Sequence, residues 1–448
     1  MATISIISRF LPSSNFPTSP SYSSHPSLPS SLLTPRSSRF IQPTSLCFSC
    51  SLSLTQSNDQ TAAAQDDAVG NLRVVFAAGG TGGHIYPAVA IADELRITNP
   101  TSEILFIGAP KSMESTAIPS SGYIFASVPA VRLARPLIAP QNLLLPYRLI
   151  KSLIQCFRLL RDFKPHVVVG TGGYVSFPVC LAAKLKGIKL VIQEQNSVPG
   201  IANSILSLFA DVIFVAFNST IDSFPRNKCV VCGNPVRLSL RKHVSKESAR
   251  SYFFPGFENR GDCKAKVLLV LGGSFGANAM NIAMLNLYYQ MLRGNHGLYI
   301  IWQTGVEAYD EMDSLVKDHP RLYLKPFMHR LDLAYAAADL IVSRAGALTC
   351  YEILATGKPS ILIPSPNDSE GHQFKNASLL ADVAGATVIT EDELDSSTLA
   401  IAIEQILRDE RKMADMSERA LKAANLNAST EIAEHILSLV NLSTKKEK

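Results

Sequence analysis

The sequence predicts an α/β fold in which two Rossmann-like domains face each other across a cleft. Short apolar runs alternate with helical patterns over residues 72–236 and again after residue 266. Runs that are apolar on both faces are typical of parallel strands covered by helices. In each half the first run ends in a glycine-rich turn, at residues 79–84 and 272–277. The chain therefore uses one architecture twice.

The first half contains six predicted strands. Apolar and β-branched residues mark them at residues 72–78, 102–108, 166–170, 189–192, 211–215 and 228–231. After the first strand, Ile85, Ala88, Val89, Ala92 and Leu95 recur at helical spacing. Ligands bind parallel sheets outside the carboxyl ends of the strands, so the polar turns after these strands form the predicted binding edge. We place the first domain at residues 70–240.

The second half repeats the pattern after a polar stretch. Its predicted strands are residues 267–271, 298–302, 322–324, 340–342 and 360–363. We place this domain at residues 264–430. The final helical stretch, about residues 397–440, is long enough to cross back to the first domain.

Residues 1–58 differ in kind from the rest of the chain. They are rich in serine and proline, contain no acidic residue, and carry only Arg9, Arg36 and Arg39 as charges. Such a segment cannot bury a core. This composition predicts a disordered transit peptide, more plastid-like than mitochondrial, and hence a protein on the stromal face of a plastid membrane. An ordinary disordered tail is the alternative.

Charge and cysteine content exclude several classes of function. The chain has 42 Lys and Arg against 37 Asp and Glu, and this small excess does not favour a nucleic-acid partner. Cys229 and Cys232 have CxxC spacing, but valines separate them and no second pair follows. A zinc or redox site is therefore not predicted, and reduced thiols are expected.

The turn at residues 79–84, GGTGGH, has the chemistry of an anion site. Glycines let the backbone approach a ligand, and the helix that follows directs free N–H groups and its positive dipole end at an anion. His84 closes the turn where a side chain could move a proton beside a bound phosphate. The alternative is a tight turn with a histidine at the helix entry, which any doubly wound domain can carry.

A basic amphipathic segment lies between the second and third predicted strands. Leucine, isoleucine and phenylalanine recur at helical spacing over residues 143–160, accompanied by Arg148, Lys151 and Arg158, with Arg132 and Arg135 just upstream. A segment of this kind can lie on an anionic bilayer. The alternative is a core-facing helix with a solvated charged face.

Six motifs in order resemble the MurG family of glycosyltransferases, which complete the lipid-linked precursor of peptidoglycan. They occupy residues 79–88, 170–176, 194–196, 233–237, 272–277 and 343–349, and the resemblance runs from about residue 72 to about residue 435. It implies the GT-B fold, with the donor UDP-N-acetylglucosamine held mainly by the C-terminal domain. It also implies that the basic segment docks on the membrane.

The resemblance further implies the donor residues. Glu352 matches the ribose-binding glutamate, and Ala347, Leu348 and Thr349 present a helix N-terminus to the diphosphate. The other implied contacts are Arg237, Ser274, the backbone of Met328, and the sugar-reading residues His372, Gln373 and Asn376. His372 stands where the family more commonly has an amide, which bears on discrimination of the sugar C4 hydroxyl.

On the acceptor side the resemblance implies a diphospho-lipid that carries N-acetylmuramoyl-pentapeptide. The glycine loops, with Thr81, Gly82 and Gly83, would hold its diphosphate. His84 would be the general base for the C4 hydroxyl, Asn196 a contact to the sugar and Tyr174 a wall of the cleft. One in-line displacement on an α-linked donor inverts the anomeric carbon. No Asp-x-Asp pair occurs in the glycine loops, so neither a metal ion nor another cofactor is expected.

Two other functions are compatible with this sequence. One is a plastid galactosyltransferase that moves galactose from UDP-galactose to diacylglycerol, although the first loop of those enzymes typically reads shorter than residues 79–84. The other is a catalytically silent, membrane-bound scaffold that binds nucleotide sugars, against which Gly82, Gly83, His84 and Glu352 argue.

Overall fold

The computed structural model describes residues 71–129, 140–242, 244–257, 265–367 and 371–444. All of them belong to one compact unit, Asp67–Lys448. Within it, two parallel sheets are each covered by helices on both faces, which is the predicted α/β architecture of two Rossmann-like domains. The predicted transit peptide, residues 1–58, lies outside the described residues.

The first sheet has seven strands in the order β3-β2-β1-β4-β5-β6-β7. Its strands are β1 (Arg73–Ala78), β2 (Glu103–Gly108), β3 (Ile124–Ser127), β4 (Val167–Gly172), β5 (Lys189–Glu194), β6 (Val212–Val215) and β7 (Cys229–Val231). The helices of this half are α1 (Gly82–Thr98), α2 (Met113–Ser120), α3 (Leu145–Phe163), α4 (Ser176–Leu185), α5 (Ile201–Ser207) and α6 (Leu238–Arg241).

The second sheet has six strands in the order β10-β9-β8-β11-β12-β13. Its strands are β8 (Lys266–Leu271), β9 (Leu298–Gln303), β10 (Leu322–Lys325), β11 (Leu340–Ser343), β12 (Ser360–Leu362) and β13 (Thr387–Val388). The helices that follow α6 in the chain are α7 (Lys246–Phe253), α8 (Asn278–Gly294), α9 (Tyr309–Leu315), α10 (Leu331–Ala337), α11 (Ala347–Thr356), α12 (His372–Ala384), α13 (Ser396–Leu407), α14 (Glu410–Ala423) and α15 (Ala428–Thr444).

The central strands are apolar on both faces because both faces are buried. All residues of β4 and β9, and all but the first of β1 and β8, are buried. Each sheet separates two apolar clusters, one beneath the helices of each face. The carboxyl ends of the central strands run directly into the glycine turns.

The last helix returns to the first domain. Ile432, Ala433, Ile436 and Val440 of α15 belong to the buried cluster that includes strand β1 and helix α1. The predicted helical stretch over residues 397–440 consists of three helices. Side-chain caps at Asp395 and Asp409 begin α13 and α14, and the cap at Asp409 separates these two helices.

Strands β3 and β13 are absent from the sequence prediction. Both lie at sheet edges, and none of their residues is fully buried. They therefore lack the continuous apolar run that marks a central strand. Among the described residues, no helix combines the length and apolar character needed to cross a membrane.

Candidate functional site

A cleft of about 1190 Å³ lies between the carboxyl ends of the two sheets. Fourteen of the sixteen predicted catalytic and substrate-binding residues line it. They are Thr81, Gly82, Gly83, His84, Tyr174, Asn196, Arg237, Ser274, Ala347, Leu348, Thr349, Glu352, His372 and Gln373. The fold thus brings residues that are nearly 300 positions apart in sequence to one cavity.

The two glycine turns of the first domain pack directly on each other. A Cβ atom on Gly173 would collide with the carbonyl oxygen of Gly79. Gly172 has a φ of 104°, and a Cβ atom there would lie 2.8 Å from Nδ1 of His84. These two positions require glycine because of both space and backbone conformation.

The first turn is also held by a buried carboxylate that the sequence analysis did not identify. Glu114 of α2 is fully buried, and its side chain accepts hydrogen bonds from the backbone N–H of Ala109 at 3.0 Å and of Gly80 at 3.2 Å. A side chain on Gly79 would overlap this carboxylate. Glu114 therefore sets the path of the turn that carries His84.

His84 lies in the first turn of α1 and is half-buried. Its Nδ1 atom is 3.0 Å from the carbonyl oxygen of Thr171 and 3.0 Å from Oε1 of Gln195. A carbonyl oxygen can only accept, so Nδ1 carries the proton and donates it. In the neutral ring Nε2 is then the atom with the free electron pair. The hydrogen bonds of His84 thus select the tautomer that a general base needs.

Gln195 is in turn oriented by buried neighbours. Its Nε2 donates to the carbonyl oxygen of Thr171 at 2.7 Å and to the side-chain oxygen of Gln193, and this leaves Oε1 toward His84. Asn234 accepts from Nε2 of Gln193 at 3.1 Å and donates to the carbonyl oxygen of Gln195 at 2.9 Å. The two glutamines and Asn234 form a buried amide network behind the histidine.

Glu194 organises the loop that contains Asn196. Its Oε1 accepts from the backbone and side-chain nitrogens of Asn196 at 3.0 and 3.1 Å. Its Oε2 accepts from the backbone N–H of Gly200 at 3.1 Å and from Asn203 of α5 at 2.9 Å. The loop and the start of α5 are thereby tied to the end of β5.

The glycine turn of the second domain is held mainly by backbone hydrogen bonds. The carbonyl oxygens of Ser274 and Phe275 accept from the N–H groups of residues 306 and 307, and Gln303 donates to the carbonyl oxygen of Gly273 at 2.9 Å. The Phe275 ring is exposed and lines the cleft. Across from this turn, α11 begins with cleft-lining residues Gly346, Ala347 and Leu348 and has no side-chain cap.

Glu352 of α11 lies almost fully buried at the wall of the cleft. Tyr335 donates to its Oε2 at 3.1 Å, and Nε of Arg237 is 3.3 Å from its Oε1 in an ion pair. Burial raises the pKa of Glu352, and the Arg237 charge and the Tyr335 hydrogen bond oppose that rise. The guanidinium of Arg237 also lies 3.5 Å from the ring centre of Tyr86 on α1. Arg237 thus links the two domains across the cleft.

Two predicted residues do not line the cleft. Met328 is buried in the core of the second domain, and its backbone N–H donates to Oε1 of Gln303 at 2.9 Å. Asn376 is buried and donates to the carbonyl oxygen of Ala345 at 3.1 Å, while its Oδ1 has no hydrogen-bond partner. Gln373 accepts from the backbone N–H of Ser365 at 3.1 Å.

Helix α3 has a buried face and an exposed apolar face. Ser152, Cys156 and Leu160 are buried against the sheet. Leu143, just before the helix, and Tyr147, Ile150 and Ile154 are exposed at helical spacing, and so are the predicted basic residues Arg148, Lys151 and Arg158. The outward face is therefore apolar and basic, which differs from the solvated charged face of an ordinary core-facing helix. Arg132 and Arg135, just upstream, lie outside the described residues.

The structure between residues 71 and 444, with its gaps, holds no group of three or more His, Cys, Asp or Glu side chains placed to bind a metal ion. The cysteines it describes, including Cys229 and Cys232, are free thiols. Burial raises the pKa of the Cys232 thiol to about 12.

Comparisons with known proteins agree with this architecture. The family model of the glycosyltransferase family 28 N-terminal domain matches residues 74–215, and that of its C-terminal domain matches residues 267–436. The fold and the cleft together define a GT-B glycosyltransferase.

Individual relatives identify the family within this class of glycosyltransferases. The chain is 40% identical, over 82% of its length and 97% of the relative's, to the UDP-N-acetylglucosamine–N-acetylmuramyl-(pentapeptide) pyrophosphoryl-undecaprenol N-acetylglucosamine transferase of Salinibacter ruber. It is also 40% identical to the enzyme of that name from Christiangramia forsetii, over 83% and 98%. The crystal structure of Acinetobacter baumannii MurG has a TM-score of 0.59 at 28% identity, covering 83% of this chain and 99% of that one. The chain belongs to the MurG family, within glycosyltransferase family 28.

Several site residues were missed by the sequence analysis. Glu114 binds the backbone of a turn, whereas Gln195 and Tyr335 bind the side chains of His84 and Glu352. Glu114 and Tyr335 lie outside the six motifs, and Gln195 lies within one of them. The one available signal was a polar residue among apolar neighbours, such as Tyr335, which lies between Ala334 and Ala336 in α10. Such a residue is buried only when it has a hydrogen-bond partner.

Proposed function

We propose that this enzyme transfers N-acetylglucosamine from UDP-N-acetylglucosamine to the C4 hydroxyl of a lipid-linked N-acetylmuramoyl-pentapeptide, the step that completes the peptidoglycan precursor. One observation carries the proposal. A histidine whose Nδ1 proton is held by two acceptors shares a cleft with an uncapped helix start and a buried carboxylate. The relatives carry this activity in their names.

On the donor side, the second domain supplies groups for each part of the nucleotide sugar. The start of α11 presents N–H groups and the positive end of the helix dipole to the diphosphate. Glu352 accepts from the ribose hydroxyls. Because Arg237 already pairs with Glu352, donor binding includes a rearrangement of this ion pair. Gln373 and His372 also line the cleft, and we expect them to contact the sugar.

On the acceptor side, the glycine turns at residues 79–84 and 170–173 face the acceptor's diphosphate. Nε2 of His84 takes the proton from the muramoyl C4 hydroxyl as its oxygen bonds to the anomeric carbon. The bond from that carbon to the UDP oxygen breaks on the opposite face, so the configuration inverts. The start of α11 stabilises the charge that develops on UDP, and we propose that no metal ion or other cofactor is needed.

The decisive experiment offers residues 60–448 both donors and both acceptors. UDP-N-acetylglucosamine and UDP-galactose are each paired with the muramoyl lipid and with diacylglycerol. Transfer of N-acetylglucosamine to the muramoyl lipid alone, undiminished by a chelator, is expected. Galactose on diacylglycerol would establish the galactosyltransferase alternative, and binding of UDP without any transfer would establish the silent scaffold.

We also propose that the exposed face of α3 docks on an anionic membrane. Its apolar residues and its basic residues Arg148, Lys151 and Arg158 support this proposal. Replacing these three basic residues by Glu is expected to lower partitioning onto anionic vesicles about a hundredfold at low salt. The matched control replaces Arg408, Arg411 and Lys412 of the second domain by Glu, so that both variants have the same net charge. Equal partitioning of the two variants would contradict docking through α3.

The composition of residues 1–58 supports a further proposal, that they direct the chain into plastids, where it acts on the stromal face of a membrane. A fluorescent protein fused behind these residues is expected inside plastids of plant cells. Fluorescence that stays in the cytosol would reject the assignment.

A further inference from the structure

The wall of the cleft on the side of the first domain is apolar at its outer part. Leu145 and Leu149 of α3, Phe177 of α4, and Ile201 and Ile205 of α5 line it. The two leucines are four residues apart on one helix, and the two isoleucines are four apart on another. Each pair therefore projects from one face of its helix. Helix α4 packs against both α3 and α5, so the three helices form one continuous wall.

The two isoleucines of this wall are open to solvent, whereas Phe177 packs against the core of the first domain. Ile201 is 46% exposed and Ile205 is 45% exposed, and the apolar surface continues past the cleft with Leu208 and Phe209. Large apolar side chains that line a cavity and remain open to solvent mark a surface for an apolar ligand. The opposite wall, in the second domain, combines glycine turns, a helix start and polar side chains with the exposed ring of Phe275.

The apolar wall begins beside the catalytic histidine. A Cβ atom placed on Gly172 would lie 2.8 Å from Nδ1 of His84 and 3.6 Å from Nδ2 of Asn203. Asn203 lies on α5 between Ile201 and Ile205, and its hydrogen bond to Glu194 ties that helix to the floor of the cleft. Helix α5 therefore lies close to the turn that carries His84.

We propose that this wall binds the first segment of the acceptor's hydrocarbon chain, next to its diphosphate. The inference rests on the proposed function, in which a diphosphate lies at the glycine turns of the same cleft. The chain is bonded directly to that diphosphate, so its first carbons leave the cleft from there. Leu145, Leu149, Phe177, Ile201 and Ile205 replace the water that would otherwise surround these carbons. The rest of the chain continues into the bilayer beneath α3.

The test uses soluble probes in the absence of any membrane. Geranyl diphosphate and inorganic diphosphate are compared as inhibitors competing with a muramoyl acceptor that has a short, water-soluble prenyl chain. Wild-type enzyme is expected to bind geranyl diphosphate at least about tenfold more tightly than inorganic diphosphate, because several methylene groups leave water. The double variant Ile201→Ser, Ile205→Ser is expected to lose most of this ratio and to raise the KM for the short-chain acceptor.

The matched control is Ile282→Ser, Ile401→Ser, which removes two exposed isoleucines of the second domain that do not line the cleft. Unchanged UDP affinity and melting temperature show that both variants are folded. Equal inhibition by the two diphosphates in wild-type enzyme would overturn the proposal. So would an α5 variant that loses vesicle binding but keeps its KM for the short-chain acceptor, since α5 would then only touch the bilayer. Failure of the proposed function gives a different result, with no transfer to any muramoyl acceptor by wild-type enzyme.

Discussion

The two sides of the cleft hold their glycine turns in different ways. In the first domain, buried polar side chains support the turn and its histidine. Glu114 accepts a hydrogen bond from the backbone of the turn, and Gln195 accepts one from the His84 ring. In the second domain the turn is held mainly by backbone hydrogen bonds, and Glu352 pairs with Arg237. A proton acceptor needs a fixed tautomer and direction, whereas a nucleotide site needs groups that can exchange partners when the ligand arrives. The first side of the cleft therefore holds its side chains in fixed positions, whereas the side chains of the second side change partners when a nucleotide binds.

The largest expected effect comes from removing the base. His84→Ala is expected to lower kcat by about 10²- to 10⁴-fold while the affinity for UDP-N-acetylglucosamine stays unchanged, because the donor groups lie on the other side of the cleft. Steady-state kinetics and calorimetric titration measure the two quantities. His296→Ala, which removes an exposed histidine outside the cleft, is the control. If kcat stays within a fewfold of wild type, another group takes the proton.

A smaller effect is expected when the histidine remains but its support changes. Gln195→Leu removes one of the two acceptors of the Nδ1 proton and is expected to lower kcat about 10- to 100-fold, with the KM for the donor unchanged. Gln195→Glu supplies an acceptor again, now with a negative charge. Because it restores the acceptor of the Nδ1 proton, this variant is expected to recover part of the kcat lost in Gln195→Leu. Equal kcat values for the two variants would assign Gln195 a purely structural role.

The smallest effect is expected on the second side. Tyr335→Phe removes a hydrogen bond that lowers the pKa of Glu352, so that pKa rises above its already raised value. The carboxylate is then protonated at a higher pH, and the loss of UDP-N-acetylglucosamine affinity on acidification is expected to begin at a higher pH than in wild type. The control is Tyr288→Phe, because Tyr288 accepts a hydrogen bond from the backbone N–H of Lys317 outside the cleft. Superimposable pH profiles would show that Glu352 does not bind the donor as a carboxylate.

Much of the fold follows from local patterns. The central strands are continuous apolar runs because they are buried on both faces, and the glycine turns follow them directly, as at β1 and β8. The edge strands β3 and β13 carry no such run, so pattern alone does not reveal them. The resemblance to the MurG family supplied most of the residues that line the cleft. Met328 and Asn376, which the resemblance also implies as donor contacts, do not line the cleft. The backbone N–H of Met328 donates to Gln303, and the side chain of Asn376 donates to the carbonyl oxygen of Ala345, and the sequence does not reveal either of these contacts.

The sequence by itself determined the parallel two-domain architecture and the glycine turns at the sheet edges, since burial on both faces and the conformational freedom of glycine follow from local composition. Only the tertiary structure decided that Nδ1 of His84 is the protonated nitrogen, that Arg237 forms an ion pair with Glu352, and that α3 and α5 form one apolar wall. Each of these depends on groups about 50 to more than 100 residues apart, and hydrogen bonds and packing at that separation are set by the fold rather than by neighbours in the chain.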